Sequence, residues 1–282
     1  MNSLIKAARD WLDACVPGAK RARELLAAAS RHAGPGLNAG QVNFSLVFLL
    51  FVAAAGFLSA CMQQQDDGSA STQTSTLLYK EQEAGTAGYP VRVLINAGHL
   101  RLDDGYEGSD FILMDRKSRT IYSVSHEEKR ILVMTAPAVD QRPPADLDIS
   151  VEQEEDAGSP LIAGVRPVQV RIKANNEVCF QAIVVPGLLP AAVTGLIEYA
   201  QALGDRQLDV LDEVPESVRT PCYLARYAYA PAQHLRQGLP VQEWDVYGYR
   251  RALVDFKEPE TVLPTLFLLP PDYERIRIET AG

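Results

Sequence analysis

The sequence has little of what most enzymes and metal centres are built from. Its 282 residues hold four cysteines, four histidines, four methionines and two tryptophans. The cysteines form no Cys-x-x-Cys pair. His99, His126 and His234 stand far apart with no His-x-x-x-His spacing, which removes the usual zinc ligand sets. There is no Gly-x-Ser-x-Gly elbow to expose a nucleophile and no glycine-rich loop to cradle phosphate. No metal, cofactor or catalytic residue is assigned on these grounds, and the chain reads as a non-enzyme. Positive charge is scarce as well. Residues 1–60 carry six basic groups against three acids, so of the total charge of −9 the remaining residues hold −12. A body that acidic is repelled by phosphate backbones, which argues against a nucleic-acid partner.

Long hydrophobic runs are nearly absent too. The one that stands out is residues 45–61, SLVFLLFVAAAGFLSAC. Its uncharged core is short for a bilayer span, which needs about 20 apolar residues. It has the shape of a secretory signal, with a basic stretch before it and small residues after it. Leu58-Ser59-Ala60-Cys61 resembles a bacterial lipobox. That resemblance implies diacylglycerol on the Cys61 thiol, cleavage after Ala60 and acylation, palmitate for example, of the new amino terminus. Two or three acyl chains anchor durably where one does not, at about 0.8 kcal/mol per buried CH₂. The resemblance also implies sorting. Met62 stands where inner-membrane lipoproteins carry Asp, so the expected location is the outer membrane, lipid-anchored and facing the periplasm. Residues 1–44 form an atypically long basic segment ahead of the 45–60 apolar region. Two readings stay open for it, a cytoplasmic extension or a start site further downstream.

Behind the cysteine, residues 61–76 are polar and without apolar periodicity, a lipidated tether. Residues 77–282 form the β-rich domain. Period-two alternation predicts strands over 77–83, 90–95, 99–103, 111–114, 120–125 and 130–135, with a possible strand at 147–152 and further ones at 168–173, 177–185, 222–229, 241–246 and 251–256. The stretches 266–270 and 273–278 close the domain. Asn175-Asn176 marks a hairpin turn. Asp103-Asp104-Gly105 reads as another turn, and His126-Glu127-Glu128 as a solvated hairpin tip. The acidic run Glu152, Glu154, Glu155 and Asp156 reads as a solvated loop. One helix is predicted. Leu189, Ala192, Val193, Leu196, Ile197, Ala200 and Leu203 share a helical face, with Pro190 near the start and Gly204 just past the end. The expected fold class is α+β, an antiparallel sheet curled as an unclosed barrel around one main helix.

Cys179 and Cys222 are the two thiols left in the exported domain. An even pair in an oxidising compartment points to a disulfide, against the alternative of two buried, reduced thiols. Aromatic residues cluster toward the end of the chain: Tyr223, Tyr227, Tyr229, Trp244, Tyr247 and Tyr249. Either they are ordinary core and cross-strand pairs, or some of them line an apolar cavity under the helix together with Leu196 and Ile197.

Residues 93–103 (VLINAGHLRLD), 111–124 (FILMDRKSRTIYSV) and 129–134 resemble the early hairpins of periplasmic lipoprotein carriers of the LolA/LolB type and of related lipoproteins. Gly238-Leu239-Pro240 and Leu266-Phe267-Leu268-Leu269-Pro270 resemble the end of the same group. The resemblance implies an unclosed antiparallel barrel, covered by helix, with a cavity for acyl chains. No gating residue of the carriers has a counterpart here. The expectation is a non-enzymatic, membrane-anchored periplasmic lipoprotein that binds a hydrophobic or lipid-like ligand or an envelope protein. The alternatives are a structural or assembly-accessory lipoprotein with a filled core and, third, a hydrolase. An open apolar cavity favours the first, a packed core the second and a convergent polar triad the third.

Overall fold

The computed structural model describes residues 72–138, 142–155 and 158–278. The basic segment 1–44, the apolar region 45–60, the lipobox residues Leu58, Ser59, Ala60 and Cys61, and most of the tether lie outside the described residues. Asp156 does as well.

Twelve strands form one sheet. In chain order they are β1 (Thr72–Gln82), β2 (Tyr89–Ile95), β3 (His99–Asp103), β4 (Phe111–Asp115), β5 (Thr120–Ser125), β6 (Arg130–Thr135), β7 (Ile149–Glu155), β8 (Val168–Ala174), β9 (Glu177–Val185), β10 (Leu239–Asp245), β11 (Arg250–Val262) and β12 (Glu274–Arg277). The spatial order is β12-β6-β5-β4-β3-β2-β1-β11-β10-β9-β8-β7, with β12 and β7 as unpaired edges, so the sheet is not closed. Neighbours run antiparallel except β12, which lies parallel to β6 with Glu274 opposite Arg130. The sheet is therefore mixed, a departure from the expected all-antiparallel arrangement. The reason is local. After β11 the chain crosses over the sheet as a one-turn 3₁₀ segment, Pro264–Phe267, and arrives beside β6 in the same direction.

The alternation that predicted the strands is visible in burial. Along β8, Val168, Val170, Ile172 and Ala174 are buried while Gln169, Arg171 and Lys173 are not. Asn175 and Asn176 both take positive φ, 50° and 67°, the backbone that a tight two-residue hairpin demands. Two expectations fall here. β1 begins at Thr72, inside the stretch read as tether, because it pairs with β11 from Thr72↔Val262 onward. The acidic run belongs to β7 as far as Glu155, where Glu152 and Glu154 pair with Lys173 and Arg171 across the ladder. Opposite charges on facing strands outweigh the low strand propensity of glutamate.

Both faces of the sheet over β1–β6 carry buried apolar residues. One face carries Leu77, Tyr79, Val91, Val93, Leu100, Met114 and Ile121 under helix α1, Pro190–Asp209. The other carries Leu94, Phe111, Leu113, Val124 and Ile131 under Phe267 and its neighbours. Asp103 ties this second layer. Its carboxylate is fully buried and accepts hydrogen bonds from Arg92 at 2.8 and 2.9 Å and from Arg101 at 2.6 Å, while Arg101 also donates to the Leu266 carbonyl at 2.6 Å. Burial opposes its charge, yet the two guanidiniums outweigh burial and hold the carboxyl below its usual range. At the hairpin tip read as solvated, His126 instead packs on Tyr273, with Nδ1 2.7 Å from the phenol oxygen.

All seven residues of the predicted helical face pack against the core under α1. Gly204 was expected to end the helix, but the helix runs through it to Asp209. The glycine is there for close approach, since a Cβ at this position would meet Pro231 Cγ at 2.6 Å and the Ala228 carbonyl at 3.1 Å. Gly204→Ala is expected to push the two segments apart and cost about 1–3 kcal/mol, read as a lower urea midpoint at unchanged m-value. An alanine variant as stable as the parent would refute that contact's importance.

The segment predicted as a strand at 222–229 is helical. Helix α2, Pro221–Tyr223, runs directly into one π-helical turn, Leu224–Tyr229. Thr220 caps it, accepting from the Tyr223 amide, and Pro221 occupies the first turn. Cys222 is bonded to Cys179 of β9, which fastens α2 to the sheet. Among the described residues, no helix is long and apolar enough to cross a membrane.

Candidate ligand cavity

A cavity of about 620 Å³ opens between α1 and the sheet. Its apolar wall is built by Leu102, Ile112, Ile121 and Met134 from the strands and by Leu196 and Leu203 from the helix. At the other end the lining changes character, to Glu81, Arg226, His234, Glu243 and Arg251 interleaved with tyrosines. One enclosure thus has a hydrocarbon-like side and a polar side.

The polar side is assembled by strand register. Glu243 of β10 and Glu81 of β1 both lie opposite Arg251 of β11, so three charges form a row across three adjacent strands. Arg251 Nε lies 3.2 Å from Glu81 Oε1, and its Nη1 lies 3.4 Å from Glu243 Oε2. The guanidinium stacks on the Tyr79 ring at 3.6 Å, and the Tyr79 hydroxyl donates to the Pro240 carbonyl. His234 Nε2 sits 2.8 Å from Glu243 Oε1, with the imidazole against Phe180. Burial holds the imidazole below its usual pKa, so it is neutral at pH 7 and donates through Nε2. Burial would raise Glu243, but the His234 hydrogen bond and the Arg251 charge prevail and set it at about 2. Glu81 goes the other way. Burial, with the charges of Glu243 and Glu83, outweighs Arg251 and raises it. Tyr227 and Tyr249 are raised by burial and stay as neutral phenols.

Several buried polar atoms at this end have no hydrogen-bond partner among the described residues: Arg226 Nε, Arg251 Nη2 and His234 Nδ1. Arg226 is held by stacking, 4.0 Å above the Phe180 ring and 5.7 Å from that of Tyr227. Among the described residues, no three metal-ligating side chains cluster.

Of the residues that the sequence nominated for a cavity, Leu196, Tyr223, Tyr227, Tyr247 and Tyr249 line it. Three do not. Trp244 points to the opposite face of β10 from Glu243, as neighbouring strand residues must. Tyr229 packs with the disulfide cluster of Leu147, Cys179 and Cys222, and Ile197 packs into the core under α1. The charged residues were missed, although a signal for them exists. Glu243 falls in phase with the buried Leu239 and Val241, and Glu81 in phase with Leu77 and Tyr79. An ionisable residue at an inward strand position marks a site or an ion-pair network.

No protein-family model matches the sequence. No curated protein matches it either. Among solved structures, an uncharacterised conserved protein from Thermus thermophilus aligns over 74% of this chain and 93% of its own, at 10% identity and a TM-score of 0.38. PNGF-II aligns in two space groups, over 73% of this chain, at 9% and 8% identity and a TM-score of 0.36. This chain spans about a third of PNGF-II's length, 31% and 32%. None of the three is described as a lipoprotein carrier. Likenesses this distant carry no argument about fold or function, which rest on the geometry above.

Proposed function

We propose that this chain is a non-enzymatic binding protein that holds a hydrophobic-tailed ligand between its sheet and α1, tethered to a membrane through Cys61. The observation that carries the reading is the open cavity of about 620 Å³ with an apolar wall, within the about 300–1,000 Å³ of small-molecule sites. A structural lipoprotein with a filled core has no use for such a space. The hydrolase alternative is weaker, because among the described residues the His234–Glu243 pair makes no hydrogen bond to a hydroxyl or thiol. His234 Nδ1 has no hydrogen-bond partner among the described residues. In this reading the sheet is an unclosed barrel curled around α1, and the helix is the wall that admits or retains the ligand.

Native mass spectrometry of the purified full chain is the test. A co-purified amphiphile is expected, and Ala200→Trp, which fills the cavity from the helix side, is expected to abolish its retention. A chain that carries no ligand and takes up no added amphiphile would overturn the proposal.

The tether is a proposal that stands apart from the cavity. Cys61→Ser is expected to abolish palmitate incorporation and leave an unprocessed precursor, with the native protein in the outer-membrane fraction facing the periplasm. Unchanged labelling in that variant would remove the anchor and leave the cavity reading intact.

A further inference from the structure

Complementarity at the polar end of the cavity narrows the ligand class. Each acid there already faces a cation or a hydrogen-bond donor. Glu243 is held by His234 and Arg251, and Glu81 by Arg251 and the Tyr249 hydroxyl. Glu83 accepts from the Tyr89 hydroxyl at 3.2 Å, and Asp245 accepts from the amides of Tyr247 and Tyr249 at 2.8 and 3.0 Å. Arg251 is neutralised by the two glutamates that face it. Arg226 is different. No carboxylate lies within 4.0 Å of it among the described residues, its Nε is buried without an acceptor, and its guanidinium is fixed flat on Phe180. The arrangement leaves a cation open on the cavity wall, with its hydrogen-bonding fork already oriented by stacking.

Resting on the binding function proposed above, we infer that the ligand is an amphiphile with an anionic oxygen headgroup, a carboxylate or a phosphate. The headgroup is bound by Arg226, and the tail lies along Leu102, Ile112, Ile121, Met134, Leu196 and Leu203. The headgroup follows from geometry. A planar guanidinium with free N–H groups matches two oxygens of a carboxylate or phosphate and gains nothing from an ammonium. The π-helical turn has a part in this. Tyr223, Arg226 and Tyr227 all line the cavity from α2 and this turn, and the Cys179–Cys222 bond fastens α2 to the sheet.

The test uses the full chain in lipid nanodiscs and the fluorescent fatty acid cis-parinaric acid, displaced by hexadecanoic acid, hexadecyl phosphate, hexadecanol or hexadecylamine. The acid, the phosphate or both are expected to displace the probe at least about tenfold better than the alcohol, and the amine worst. The better of the two anions identifies the natural headgroup. Arg226→Gln is expected to erase the preference by weakening the anions about tenfold while leaving the alcohol unchanged. Arg226→Lys is expected to restore part of it. The series on the parent chain stands even if a variant does not fold. Equal displacement by acid, alcohol and amine, with all three lost in Ala200→Trp, would overturn the anionic headgroup and leave the cavity function standing. Displacement by none of them would overturn both.

Discussion

Removing the Cys179–Cys222 bond, by Cys179→Ala with Cys222→Ala or by reductant, is expected to lower the stability of the domain by about 4 kcal/mol. The bond closes a loop of 43 residues, and in the chain-entropy account a loop of that length gives the unfolded state about that much less freedom to regain. For a domain of this size, about 2–4 °C of melting temperature follow each kcal/mol, so the expected fall is roughly 8–16 °C. The effect is not confined to stability. Cys222 lies in the three-residue helix α2, too short to hold itself by backbone hydrogen bonds alone, and the π-turn that follows bears Arg226 and Tyr227 beside Tyr223 of α2. Release of the bond is therefore expected to weaken the binding of an amphiphile as well. Paired denaturation and binding measurements, with and without reductant, check both. A loss below about 1 kcal/mol would mean that packing by Leu147, Ala174 and Ala225 holds the segment without the bond.

The strands and α1 were legible because each repeats one environment along its length. Alternation along β8, or a shared face from Leu189 to Leu203, is written in consecutive residues. Segment 222–229 was misread because its tyrosines, at 223, 227 and 229, satisfy period two, while the pair 223 and 227 also fits helical spacing. The Thr220-Pro221 start signal was the better guide. Gly204 was misread because sequence alone cannot tell a glycine that ends a helix from one that admits a neighbour, here Pro231. The candidate site was only half legible. Its tyrosines stand out by composition, whereas Glu81, Glu243 and Arg251 become one site only when β1, β10 and β11 are set side by side. The register that does so joins residues nearly the length of the domain apart.

That row of charges makes the last prediction, in which two glutamates facing the same arginine respond unequally to neutralisation. Glu243→Gln is expected to cost about 3–5 kcal/mol at neutral pH, because it leaves Arg251 buried with its stronger counter-charge gone and replaces the charged acceptor of His234 by a neutral one. Glu81→Gln is expected to cost less than Glu243→Gln, since burial and the neighbouring charges of Glu243 and Glu83 raise its pKa and so weaken its hold on Arg251 as a charge. The pH dependence carries the same signature. Glu243 titrates at about 2 in the folded chain against its ordinary 4.5, so its contribution is present above pH 4.5 and is lost as pH falls toward 2. His234 is depressed from 6.5, so below that pH the unfolded chain takes up the proton first and stability falls in the same direction. Glu81 is raised, so its contribution is full below pH 4.5 and is lost as pH rises through its folded value, opposing the other two. The parent domain is therefore expected to lose stability steadily below pH 6.5, with a flatter acid limb in Glu243→Gln. The stability gap between that variant and the parent should narrow as pH approaches 2. Urea denaturation of the three chains between pH 3 and pH 8 measures it. Equal costs for the two substitutions at neutral pH would show that the two glutamates share the charge of Arg251 evenly.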